Sequence, residues 1–176
     1  MSITTQYPII EELESNNSRL FKEDVIKREA EQDNIDFFEG CQLALDPMVS
    51  FGVKQVPERS DIDGQGLSWG EFCDLADQLQ KRELTGHAAR DAILEAMLQS
   101  HDAEWNKWYR RILIKDLRCG VSEKTINNVV KKVNKDYTIP VFKCMLAHDS
   151  ANHEKKLVGE KLLDYKLDGV RVLAIY

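Results

Sequence analysis

Apolar residues recur with helical spacing through most of the first 135 residues, and this periodicity constrains the fold more than any other feature. In the first 45 residues it predicts three helices. Pro8 can begin the first, and Asp33 or Asn34 can cap the third. The residues on their inner faces are Ile9, Ile10 and Leu13 in the first helix, Leu20, Phe21, Val25 and Ile26 in the second, and Phe37, Phe38, Cys41 and Leu45 in the third.

Four further helices are predicted after residues 47–66, a stretch that glycine and proline mark as a loop. Ser68 and Glu71 have the spacing of a capping box before the fourth helix. The dipeptide Thr85-Gly86 precedes the fifth, the long sixth continues through Leu117 to a stop at Gly120, and Ser122 can cap the seventh. Their inner faces carry Phe72, Leu75, Ala76 and Leu79, then Ala88, Ala89, Ala92, Ile93, Ala96 and Met97, then Trp105, Trp108, Tyr109, Ile112 and Leu113, and finally Ile126, Val129, Val130 and Val133.

The sequence changes character at about Tyr137. Residues 162–165 and 170–176 have the composition of strands and flank Asp168-Gly169, a dipeptide typical of a tight hairpin turn. The predicted fold class is therefore mainly α. An all-helical domain is expected at residues 1–136, followed at residues 137–176 by a linker and the first β-strands of a second domain.

Composition bears on whether the chain crosses a membrane, is secreted or binds a metal. The chain is 43% apolar and 31% charged, and no run of about 18 apolar residues is present, so we expect no membrane span. The first residues lack a secretory signal. The four cysteines are dispersed without a C-x-x-C pair, which favours reduced thiols, a cytoplasmic protein and no metal site.

The charge is unevenly distributed. The formal net charge is -6, yet residues 107–135 hold nine basic residues against two acidic ones. A local basic segment can bind phosphate groups even in an acidic chain. A solvated helix face would give the same pattern, so charge by itself leaves both interpretations open.

Lys166 follows a strand-like apolar run and precedes the Asp168-Gly169 turn. Burial among neighbouring apolar residues would lower the pKa of Lys166 and free its amine as a nucleophile. A lysine beside an ordinary hairpin is the alternative. With Arg171, however, the segment reads K-x-D-G-x-R, which resembles the nucleotidyl-accepting motif of ATP-dependent DNA ligases. In that family the lysine attacks the α-phosphate of ATP and becomes a lysyl-adenylate.

The residues before this motif extend the resemblance. Residues 110–122 are similar to the helix-turn-helix signature in the helical DNA-binding domain of these ligases, and residues 84–89 to an earlier signature of the same domain. The similarity spans most of residues 8–176 and is nearest to bacteriophage-type enzymes, although residues 1–60 match only in pattern. It implies that Lys166 is the nucleophile, that Asp164 contacts adenine and that Arg171 faces the ribose or the nick phosphate. Gly169 would permit the turn.

The two upstream turns have a physical use for such an enzyme. Each places a small residue at a helix N-terminus, where free backbone N–H groups and the helix dipole favour a phosphate. Ordinary helix capping is the alternative for either turn taken alone. Glycine would allow the DNA backbone to approach closely, while hydroxyl and cationic groups would add contacts that do not read the bases. The candidate DNA-binding residues are Thr85, Gly86, Arg111, Lys115, Arg118, Gly120, Ser122 and Lys124.

The resemblance thus implies a monomer that uses ATP, seals nicks in duplex DNA and binds no membrane. The ligands of Mg²⁺ are expected downstream of this chain, so we predict that these 176 residues bind DNA but do not ligate it. Two alternatives stay open. One is another nucleotidyltransferase with a K-x-D-G motif, such as an RNA ligase or capping enzyme; the other is a non-catalytic helical DNA-binding module.

Overall fold

A computed structural model of the chain describes residues 5–60, 64–141 and 158–160, and the regular secondary structure of these residues is helical, with no strand among them. The chain divides into two compact units, Met1–Phe142 and Lys143–Tyr176, and nearly all described residues belong to the first. The α-helices are α1 (Tyr7–Ser15), α2 (Arg19–Glu31), α3 (Ile35–Leu45), α4 (Trp69–Gln80), α5 (Gly86–Gln99), α6 (Asp102–Glu104), α7 (Arg110–Leu113) and α8 (Glu123–Val133). The mainly α fold class is therefore confirmed, while the strands predicted at 162–176 lie outside the described residues.

A composite helix runs through the core. It consists of α6, a π-helical segment at Trp105–Tyr109, and α7. The side chains of Trp105, Trp108 and Tyr109 are fully buried, which confirms the interpretation of these aromatics as core residues. Trp108 stacks on Phe37 of α3 with ring centroids 5.7 Å apart. A side chain at Gly40 would overlap the Trp108 ring, so this glycine allows α3 to pack closely against the composite helix.

The pair of α2 and α8 forms one side of the unit. Val25 and Ile26 of α2 and Ile126 and Val130 of α8 are buried, as their helical spacing predicts. Beyond α8 a 3-10 turn, Lys135–Tyr137, leads into an extended segment. The Asn127 side chain pins that segment by accepting from the Ile139 N–H at 2.8 Å and donating to the Ile139 carbonyl at 2.9 Å. The chain thus packs on the helices at least to Ile139.

The described residues between α3 and α4 have no regular structure, as the glycines and proline of this loop predict, but they are pinned to the composite helix. Trp105 Nε1 donates to the Pro57 carbonyl and Arg110 Nε donates to the Val56 carbonyl, both at 2.9 Å. Tyr109 donates its hydroxyl to the Leu67 carbonyl at 2.9 Å. These bonds satisfy backbone carbonyls that would otherwise lack partners, so the loop has a defined course over the helix.

The helix starts mostly follow the sequence signals. Ser68 and Glu71 form the predicted capping box of α4, with the Ser68 N–H donating to Glu71 at 2.9 Å and the Glu71 N–H donating to Ser68 at 3.3 Å. Of the two candidates before α3, Asn34 is the cap: it accepts from the Phe37 N–H, whereas Asp33 lies in the left-handed region at φ 58°.

Some predicted inward positions are wrong. Leu20 is 72% exposed, and Lys22 takes the inner position three residues before Val25. Val133 is 38% exposed because α8 ends there, and Ala88 lies in the exposed first turn of α5.

The helix expected to reach Leu117 ends at Leu113 instead, since the chain turns sharply through Lys115 at φ 62°. None of the described helices is long and apolar enough to cross a membrane.

Candidate nucleic-acid interface

The turn between α7 and α8 exposes alternate residues. Leu117 and Cys119 are each only 2% exposed and anchor the turn in the core, whereas Arg118 and Gly120 face solvent. Arg118 at φ 53° and Gly120 at φ 66° both have left-handed backbone. Arg118 Nε lies 3.7 Å from the Asp116 carboxylate, and the side chain remains half exposed. The turn therefore presents one cationic side chain and one glycine backbone outward.

Lys22 supports this turn from beneath. Its ammonium group donates to the Cys119 carbonyl at 2.7 Å, although the side chain is buried. A Cβ atom at Gly120 would collide with Lys22 Nζ, so both the positive φ and this neighbour favour glycine. Sequence reasoning missed Lys22. The signal was available, because Lys22 precedes Val25 and Ile26 by three and four residues on the same helix face.

The start of α8 combines a cap with an exposed cation. Ser122 accepts from the Thr125 N–H at 3.4 Å and so acts as the N-cap of α8. Lys124 lies in the first turn and is exposed. The Ser122 hydroxyl is thus engaged within the protein, while the Lys124 ammonium group is free to approach another molecule.

Two predicted DNA-binding cations have internal partners instead. Arg111 is only 13% exposed at its side chain; it donates to the Leu117 carbonyl at 2.9 Å and pairs with Glu14 of α1. Lys115 donates to the carbonyls of Leu43 at 2.7 Å and Asp46 at 2.6 Å, at the end of α3. Burial lowers the pKa of Lys115. These contacts give both side chains a structural role, and a DNA contact for either stays a prediction.

The second predicted turn lies at the start of α5. Thr85 is the N-cap residue by position, yet its side chain makes no capping hydrogen bond. Thr85 and Gly86 are both exposed, and Gly86 has φ +56° with nothing within 4 Å of the place where a Cβ would stand. The first N–H groups of α5 are therefore accessible from outside.

A groove brings parts of both turns together. It has a volume of about 940 Å³ and is bordered by residues 51–57, by the start of α5 and by the turn after α7. Thr85, Gly86 and Arg118 line it, whereas the other five candidate DNA-binding residues do not. Among its lining residues Asp116 is the one acid, and the five cations are Lys54, Arg82, Arg90, Arg110 and Arg118.

Sequence reasoning singled out Arg118 alone among these five cations. Arg90 offered a signal, because it follows Gly86 by four residues and so shares a helix face with the turn. Lys54 offered none, since its place depends on how the loop folds over the composite helix. Among the described residues, no group of three or more His, Cys, Asp or Glu side chains is arranged to hold a metal ion.

The predicted adenylation residues are not part of this surface. Asp164, Lys166, Gly169 and Arg171 all lie outside the described residues. Their roles in ATP binding and nucleotidyl transfer stay predictions.

Comparison with known proteins finds relatives that are similar to this helical unit. Two solved structures, named Pmar-Lig_PreS3 and Pmar-Lig_Pre., are each 58% identical in sequence and superpose with a TM-score of 0.78. Each match covers 87% of this chain and 35% of the solved chain. A curated relative, DNA ligase 4 of Arabidopsis thaliana, is 37% identical over 68 residues, or 39% of this chain and 5% of that protein. No protein-family model matches.

These findings confirm the resemblance inferred from sequence: the chain is similar to proteins named as DNA ligases. It spans about a third of the length of the solved ligase chains and a small fraction of the plant enzyme.

Proposed function

We propose that the helical unit binds the sugar-phosphate backbone of nicked duplex DNA on behalf of an ATP-dependent DNA ligase. The observation that carries this proposal is the exposure of Arg118 and Gly120 beside the buried anchors Leu117 and Cys119, at a turn similar to a ligase signature. Contacts of this kind hold phosphates without reading bases. That suits an enzyme that must seal nicks in any sequence.

The chemistry is proposed to begin at Lys166. Its amine attacks the α-phosphate of ATP, pyrophosphate leaves, and AMP becomes bonded to the lysine. AMP then passes to the 5′-phosphate of the nick, and the 3′-hydroxyl displaces AMP as the phosphodiester bond forms. Asp164, Gly169 and Arg171 would position the nucleotide, and Mg²⁺ would neutralise the phosphate charge. The similarity to proteins named as DNA ligases favours this function over an RNA ligase or capping enzyme.

The nucleophile can be tested in a longer ligase that contains this chain. The enzyme is incubated with ATP labelled at the α-phosphate, and protein-bound label is measured after denaturation. We expect Lys166→Ala to abolish labelling and Lys161→Ala, the matched control at the preceding lysine, to preserve it. Label retained in full by Lys166→Ala would exclude Lys166 as the acceptor.

DNA binding can be tested with the 176-residue chain. Fluorescence anisotropy with a nicked duplex between about 50 and 200 mM salt should show an affinity that falls steeply as salt rises. The reason is that the protein's cations release salt counterions from the DNA phosphates, and this release is less favourable at higher salt. An affinity independent of salt would contradict phosphate contacts. We also expect no sealed product from this chain with ATP and Mg²⁺, and sealing would overturn that expectation.

A further inference from the structure

The groove beside the predicted turns contains cations that the recognised signatures leave out. Lys54 comes from the loop after α3, Arg82 from the turn after α4, and Arg90 from α5. Three separate segments of the chain therefore direct positive charge toward one concave surface. Like charges repel one another, so folding brings these groups together at a cost that a bound anion would offset.

The five groove cations differ in how far the protein itself uses them. Arg110 is committed to the loop, because it donates to the Val56 carbonyl and lies 3.2 Å from Glu58. Arg82 donates to the Ser50 hydroxyl at 3.3 Å. Lys54 and Arg90 are exposed and make no hydrogen bond or ion pair with any residue that the structure describes. These two side chains are therefore available to an external partner.

The start of α5 adds backbone donors to the same groove. Other helices of nine residues or more in the described part of the chain have their first N–H groups satisfied by side chains. Glu104 accepts from Gln6 and Tyr7 at the start of α1. The caps of the others are Ser18 on α2, Asn34 on α3, Ser68 on α4 and Ser122 on α8. Thr85 supplies no such bond to α5. Because Thr85 and Gly86 line the groove, the backbone N–H donors at the start of α5 and the groove cations lie at the same surface.

We propose that this groove holds consecutive backbone phosphates of one DNA strand, with Lys54 and Arg90 as direct contacts. The inference rests on the proposed DNA-binding function and deepens it, because it extends the interface to a loop outside both ligase signatures. A DNA strand suits the groove because it carries one negative charge about every 3.4 Å and can meet several separated cations at once. Arg118 joins the groove to the turn before α8.

The test compares two double variants of the 176-residue chain. Lys54→Gln with Arg90→Gln removes the two available groove cations. Lys27→Gln with Lys81→Gln removes the same charge from exposed sites outside the groove, where each lysine already pairs with a carboxylate. Circular dichroism and thermal melting establish that both variants remain folded. Affinity for a nicked duplex is then measured by anisotropy between about 50 and 200 mM salt.

We expect the groove variant to bind roughly tenfold more weakly and the slope of log K against log salt to become shallower by about two, since each lost phosphate contact removes about 0.9. The control variant should match the original chain. If the original chain binds but the groove variant keeps its affinity and slope, the groove assignment is overturned while DNA binding stands. If the original chain binds no DNA at 50 mM salt, the proposed function fails and the groove assignment with it.

Discussion

The basic segment at residues 107–135 and the groove wall at residues 51–57 and 82–94 differ in how many of their cations an external partner can reach. The basic segment has the higher density of positive charge, yet Arg111 and Lys115 are directed inward to carbonyl groups of the protein. The groove wall has fewer cations, but Lys54 and Arg90 are exposed without partners among the described residues. Charge density along a sequence therefore does not measure the charge that a partner can reach.

The reason lies in the backbone. A helix end leaves carbonyl groups without intrahelical partners, and a nearby cation can satisfy them. Lys115 does so where α3 ends, at Leu43 and Asp46, and Arg111 satisfies the Leu117 carbonyl in the turn after α7. Arg111 and Lys115 thus help to hold the sharp turn after α7 in place, whereas Arg118 of the same turn faces solvent.

The largest effect is expected for Lys115→Met. The variant keeps most of the apolar stem but removes a charged donor from two carbonyls, so we expect the free energy of unfolding to fall by about 2–3 kcal/mol. Urea unfolding followed by circular dichroism measures the change. Lys124→Met, at an exposed site, is the matched control and should change stability by less than about 0.5 kcal/mol. Equal decreases in the free energy of unfolding would show that Lys115 contributes no more to the stability of the fold than Lys124.

Arg111→Met and Arg118→Met compare two arginines of the same segment. Arg111→Met should lower the free energy of unfolding by about 2 kcal/mol, because the Leu117 carbonyl and Glu14 lose their partner. Arg118→Met should leave stability nearly unchanged but weaken DNA binding several-fold, since this arginine is half exposed. Unfolding and anisotropy measurements on both variants test the contrast, and a reversed pattern would contradict the division into inward and outward cations.

Gly120→Ala should destabilise the chain more than Gly86→Ala. Both glycines have positive φ, so each substitution carries a backbone penalty of about 1 kcal/mol. Only Gly120 also has Lys22 where the new methyl group would stand. Thermal or urea unfolding should show about 1 kcal/mol of further loss at Gly120. Similar values for the two variants would mean that Lys22 moves aside freely.

The smallest effect concerns pH and Glu104. Burial raises the pKa of the Glu104 carboxyl above its ordinary value of 4.5, while the N–H groups of Gln6 and Tyr7 oppose the shift. The folded state therefore holds this proton more tightly than the unfolded state. The contribution of the protonated Glu104 carboxyl to stability is complete below about pH 4.5, the ordinary pKa, and is lost as pH rises through the pKa of the folded state. The free energy of unfolding of the original chain minus that of Glu104→Gln should therefore fall as pH rises over that range. A value that rises with pH would contradict the raised pKa of Glu104.

Much of the helical framework follows from local sequence. The apolar spacing and start signals predict α1 to α5 and α8, because a helix buries one face and its first N–H groups need local partners. The capping box of Ser68 and Glu71 and the N-cap at Ser122 are both present, as the sequence predicts. The apolar spacing does not distinguish the π-helical segment at Trp105–Tyr109 from an α-helix, because Trp105, Trp108 and Tyr109 stand at positions that an α-helix also places on one face.

The sequence alone determined the helices, the exposed glycine turns and the resemblance to DNA ligases. Tertiary structure alone decided which cations are available, because that depends on carbonyls and carboxylates supplied by distant segments: Glu14 lies 97 residues from Arg111, and Leu43 lies 72 residues from Lys115. The groove likewise exists only because the loop after α3 is pinned across the composite helix by Trp105 and Arg110. Local patterns encode helices through short-range bonds, whereas the surface offered to a partner depends on contacts that no local pattern contains.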